Sequence, residues 1–246
     1  MYDLTLFTES ENFENEIVME MCRLDEDTHY LYEESDWKGR IIEFIHSIFD
    51  KIREFIINLF VNIDEIVDTK RKILKDSKKA KINDKLLHAT DLALSKCESE
   101  IKVIGNNMKA ISKAVGRYSS EEEFKKDLEY DLKNAGICEF DSRIIGPIIA
   151  ITKDKTFIED FKDRGAGSAD KVLESVKKDL KRIKDQAGSL KNTRDSLIAD
   201  ARKAENKVEL SRIRQVCAAC SKAWKEIMRH VKTLCLYKIK SIAVAK

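Results

Sequence analysis

From Ile41 the large apolar residues fall at 41, 45, 48, 52, 55, 59, 63 and 66. Steps of four and three mark one face of an α-helix. Ser35 and Asp36 provide a start before Trp37, and the pattern predicts a helix to about Leu74. A second stripe runs through Leu87, Leu94, Ile101, Ile104, Met108, Ile111 and Val115, with Asn83 placed to cap it and Gly105 interrupting it. Ser119 and Ser120 stand three residues before Glu122 and Glu123, which predicts a capped third helix ending at Gly136. Residues 137–155 are irregular, and their apolar stretch around Pro147 reads as a buried turn or short helix. Thr156 with Glu159 forms another capping box, and Asp163–Ser168 is a glycine-containing break. Beyond it, a long helix is expected from Ala169, with a new start near Asn206 or one continuous helix to about Tyr237.

These patterns predict an all-α fold of long amphipathic helices, packed as a bundle or helical hairpins with coiled-coil-like seams. The expected organisation is an acidic arm with a short helix over 1–36, a helical domain over 37–162, a hinge at 163–168, and a basic hairpin over 169–246. The composition agrees: eight Gly and one Pro in 246 residues leave few turn formers, and 37% of residues are charged.

The first helix is unusual in one respect. Its core face, from Ile41 to Ile66, spans an arc of about 160° at 100° per residue. Ile57 and Val61 fall on the opposite, polar side, four residues apart. Together with Ile56 and Phe60 they make the helix apolar nearly all round for about two turns. A transmembrane span needs about 20 apolar residues. The run Phe55–Ile63 has nine residues, two of them asparagine, so burial or a protein interface is expected there rather than a span.

Net charge is only +2, but its distribution is uneven. Residues 1–36 contain twelve acidic residues and one base, whereas residues 169–246 contain twenty bases and nine acids. Arg214, Lys222, Lys225, Arg229 and Lys232 lie opposite the seam of Ile213, Cys217, Cys220, Trp224, Ile227, Val231 and Leu234. A basic face of this kind is either an ordinary solvated surface or a contact for an acidic protein, a nucleic acid or an anionic membrane. The lack of interleaved aromatic residues weighs against nucleic acid.

Catalytic and metal motifs are weak. Cys217 and Cys220 have the C-x-x-C spacing, but they lie on the apolar seam, with no second pair for a metal and no βαβ setting for redox chemistry. The six cysteines read as reduced and mostly buried, because residues 1–20 lack the basic and apolar regions of a secretory signal. Glu43 and His46 form a single E-x-x-H on the polar face of the first helix, where a di-metal bundle needs two facing inward. Gly165 and Gly167 lack the third glycine and preceding strand of a dinucleotide fingerprint. His29 and His88 sit in no triad. No catalytic residue, cofactor or metal is expected.

The opening YDLTLFTESE, its acidic continuation and the following WKGRIIEFIHSIFDKIREFI resemble the helical virion structural proteins of large tailed bacteriophages. That resemblance covers roughly the first 60 residues. It implies a structural, non-enzymatic role in an assembly, with protein partners that are further copies or other subunits. The implied location is the virion or the host cytoplasm. A helical protein lying on a membrane surface is the alternative expectation.

Overall fold

The computed structural model describes residues 34–77, 79–134 and 141–244. The fold is all-α. Its helices are α1 (Glu34–Ser77), α2 (Asp84–Ala114), α3 (Glu121–Asn134), α4 (Gly146–Lys153), α5 (Gly165–Ala187), α6 (Ser189–Lys203) and α7 (Lys207–Lys240). A 3-10 turn (Val115–Arg117) follows α2, and a π-helical turn (Asp141–Ile145) precedes α4. The acidic arm and its expected short helix lie outside the described residues.

Helix boundaries follow local chemistry. Asn83 Oδ1 accepts the Leu86 N–H at 3.0 Å and starts α2. Ser120 Oγ accepts the Glu123 N–H at 3.1 Å, while the Glu123 carboxylate takes the Ser119 N–H and hydroxyl. Asn206 Oδ1 accepts the Glu209 N–H at 3.0 Å, and Glu209 reaches back to the Glu205 N–H. The chain therefore breaks before α7, and it breaks again at Gly188, where the sequence pattern predicted one helix from Ala169. Pro147 sits in the first turn of α4, where its missing N–H costs nothing.

Two findings differ from the sequence expectation. First, Thr156 does not cap a helix. Asp154 Oδ1 instead accepts from its N–H and hydroxyl, forming a tight turn that leads into a strand. Second, the chain contains a small antiparallel sheet of strands β1 (Ala80–Asn83), β2 (Phe161–Asp163) and β3 (Ile242–Val244), in the order β2-β1-β3. The register sets Lys81 opposite both Asp163 and Ala243. Strands of three and four residues are too short to show a period of two against their helical surroundings.

Two compact units emerge, each from three chain segments. Among the described residues, one comprises 34–54, 103–134 and 188–226. The other comprises 55–102 except 78, 141–187 and 227–244. The glycine break at 163–168 lies within the second of these units. Gly165 adopts φ +71 at the first position of α5, a left-handed conformation that glycine takes without strain.

In the first unit, Ile41, Ile45 and Ile48 of α1 join Ile104 and Met108 of α2, Phe124 of α3, Leu197 of α6 and Trp224 of α7 in the core. At Gly105 a Cβ would stand 3.4 Å from Thr193 Oγ1, so this glycine marks a close approach of α2 and α6. In the second unit, Ile63 and Val67 of α1 join Leu94 and Cys97 of α2, Leu173 and Val176 of α5 and Val231 and Leu234 of α7. The sheet belongs to this unit.

Candidate functional site

α1 carries the interaction residues expected from sequence. The structure divides them. Ile56 and Phe60 are buried and belong to the core of the second unit. They are therefore unavailable to a partner: the arc of α1 that faces inward is wide enough to include them. Ile57 and Val61 are exposed, at 41% and 50%.

The turns of α1 that follow them are tied to α5. Lys177 of α5 binds Asp68 at 2.9 Å and lies 3.9 Å from Asp64. One to two turns on, Arg71 meets Asp170 at 2.8 Å and Glu174 at 2.6 Å. The Lys177 hydrogen bond holds the Asp68 carboxyl below its usual range. Ile57 and Val61 stand seven residues before Asp64 and Asp68 respectively. Two helical turns separate each pair, so the stripe that is ionic at one end is apolar at the other. Asn58 and Glu65 are exposed on the same helix. A sequence wheel places these residues correctly, but it gives no warning that a salt bridge from α5 would occupy only one end of the stripe.

The basic face of α7 requires correction. Of Arg214, Lys222, Lys225, Arg229 and Lys232, only Lys222 is exposed; Lys225 is buried and the other three are half-buried. The expected seam is fully buried, but so are Arg212, Ser221, Met228, His230 and Lys238 around it. α7 is thus enclosed on more than its apolar side. A helical wheel treats charged residues as solvated and misses those that find partners on other elements.

Two such partnerships are clear. In the first unit, Arg212 donates to the carbonyls of Val115 at 2.7 Å and Tyr118 at 3.2 Å, pairs with Glu121 at 3.3 Å, and lies over the Tyr118 and Phe124 rings. It closes the C-terminal end of α2, where carbonyls lack helical partners. Gln215 donates to the same Glu121 at 2.7 Å, and that bond leads in keeping the carboxyl below its usual range. In the second unit, Lys238 binds Asp91 of α2 and Asp179 of α5, each at 2.5 Å. Arg182 also pairs with Asp179.

Cys97, Cys217, Cys220 and Cys235 are buried free thiols. Burial pushes the pKa of all four thiols up, that of Cys220 to about 12. Such thiols are protonated and unreactive at neutral pH. Glu43 and His46 are exposed on α1. Among the described residues, no three His, Cys, Asp or Glu side chains are grouped to hold a metal ion. No described helix is long and apolar enough to cross a membrane.

Comparison with family models, curated proteins and solved structures finds no match to this chain.

Proposed function

We propose that the protein is a non-enzymatic interaction protein that works by packing into a macromolecular assembly, as a structural component of a phage particle. The observation that carries this reading is the exposure of Ile57 and Val61 on a helix whose wide core face is already buried. Two stacked aliphatic side chains on such a helix favour coverage by another protein surface. The resemblance of the first 60 residues to phage virion proteins supplies the class of assembly, with further copies or other subunits as partners. The α7 basic residues have little part in it, because of the five only Lys222 is exposed.

Sedimentation velocity across a concentration series tests this. A mass that rises with concentration, and falls to monomer in Ile57→Asp and Val61→Asp variants, is expected. Mass spectrometry of purified particles is the complementary measurement. A chain that stays monomeric at all concentrations and is missing from particles overturns the reading.

A further inference from the structure

From Leu210 to Lys225, α7 carries four bases and no acid: Arg212, Arg214, Lys222 and Lys225. Arg212 is turned toward the end of α2 and the start of α3, where Glu121 and Glu123 lie. The other three share one row of the helix, at steps of eight and three, with Ala218 between Arg214 and Lys222. Lys222 is exposed, Arg214, Ala218 and Ala219 are half-buried, and Lys225 is buried. Lys109 of α2 stands near Cys220 and adds positive charge. Glu226 follows at the end of the row. Arg214, Lys222, Lys225 and Lys109 thus outnumber Glu226, and Glu121 is committed to Arg212 and Gln215.

Residues 1–33 hold ten carboxylates and one base, Arg23. Phe13, Ile17, Met21 and Leu24 recur among them at steps of four and three, with Glu14, Glu16 and Glu20 between. This segment joins the described chain at Glu34, the first residue of α1. α1 as far as Glu54 and α7 as far as Glu226 belong to one unit, and Ile41, Ile45 and Trp224 share its core. The row from Arg214 to Lys225 covers about 17 Å of helix, and a segment of this length spans it even at the helical rise of about 1.5 Å per residue. A tethered ligand acts at an effective concentration on the order of millimolar. The chain's own carboxylates therefore outcompete a free acidic partner present at lower concentration.

We infer that residues 1–33 lie along the Arg214, Ala218, Lys222 row of α7 in the same chain. Their carboxylates meet Arg214, Lys222 and Lys225, and their apolar residues rest on Ala218 and Ala219. Two small side chains in that strip allow a close approach, and the bases on either side set the register. The arrangement also suits Lys225, since a buried ammonium keeps its charge only beside an anion. Held there, the acidic segment screens the basic face from nucleic acids and anionic membranes. The inference stands apart from the assembly role proposed above, which concerns Ile57 and Val61.

Carbodiimide coupling of the full chain at low salt, with peptide mass mapping of the monomer band, tests it. Amide links from carboxylates of residues 1–33 to Lys222 are expected. Their yield should fall about tenfold in 1 M salt, where the screening length is about 3 Å. Arg23 is the one tryptic site before Lys38, so limited digestion gives a second readout. Cleavage there should be about tenfold faster in an Arg214→Glu, Lys222→Glu double variant than in the parent at low salt, the combined effect of several surface ion pairs. Lys222→Glu alone, at an exposed site, should give about a threefold increase. Unchanged circular dichroism confirms that the variants fold. Links from residues 1–33 to other elements only, links confined to dimers, or no links at all overturn the inference. So does cleavage at Arg23 that neither variant accelerates.

Discussion

Lys238 Nζ lies 2.5 Å from a carboxylate oxygen of Asp179, and both side chains are almost wholly removed from solvent. A buried charge is tolerated only when paired, and removing one partner leaves the other exposed to the full desolvation penalty. Lys238→Met leaves Asp179 with Arg182 as its cationic partner and should destabilise the protein by about 1.5–3 kcal/mol, the worth of a hydrogen bond to a charged group, read as a lower urea midpoint. Asp91 also meets Lys238, but its side chain is 49% exposed. Asp91→Asn should cost only about 0–1 kcal/mol, as surface pairs do. Equal losses for the two variants would contradict this assignment of the buried charge.

Arg212 acts as a cap made by a distant helix. Arg212→Met removes the guanidinium that lies over the Tyr118 and Phe124 rings and leaves two carbonyls without their donor. A loss of about 2 kcal/mol is expected. Arg212→Lys should recover only part of it, because an ammonium lacks the planar fork that serves two carbonyls and Glu121 together. Guanidinium denaturation of the three proteins makes the comparison.

The Glu123 carboxylate accepts from the Ser119 hydroxyl and N–H, and the hydroxyl bond is the leading cause of its lowered pKa. The ordinary value is 4.5. The folded value lies below it, so this contribution is present above the unfolded value and is lost as pH falls through the folded one. Glu123→Gln should destabilise the chain at pH 7 and converge on the parent as the pH drops below 4.5. Urea midpoints at several pH values would show a gap that narrows toward acid. A constant gap would mean that the carboxylate is not ionised where it caps α3.

The buried thiols give a chemical test of the core. In the native protein at pH 8, Cys97, Cys217, Cys220 and Cys235 should resist alkylation by iodoacetamide, and all should react in 6 M guanidinium. Peptide mass mapping identifies each site. Rapid native labelling of Cys217 or Cys220 would reopen a redox role for the C-x-x-C pair.

Much of the fold was legible before the coordinates, for reasons that are local. Asn83, Ser120 and Asn206 announced their caps because the donors they satisfy lie three residues away. The seven seam residues of α7 announced themselves by spacing. What was not legible depends on long-range meetings. Ile82 pairs with Lys162 and Ile242, some 80 and 160 residues distant, and no pattern within a four-residue strand records that. Lys225 reads as a surface charge on the α7 wheel, yet it is buried, because burial is set by neighbouring helices. Ile57 and Val61 were found by the wheel; the loss of Ile56 and Phe60 to the core follows from how far the neighbouring helices wrap α1.

The sheet imposes an order of events on the growing chain. β1 sits at the centre, yet both of its neighbours are made later, and β3 comes after the whole of α7. During synthesis, residues 80–83 must wait with an unpaired edge until residue 244 has left the ribosome. Slow closure of such distant contacts makes this strand the point most open to mispairing with another nascent copy. Its brevity and its lysine at position 81 then act as safeguards while it waits.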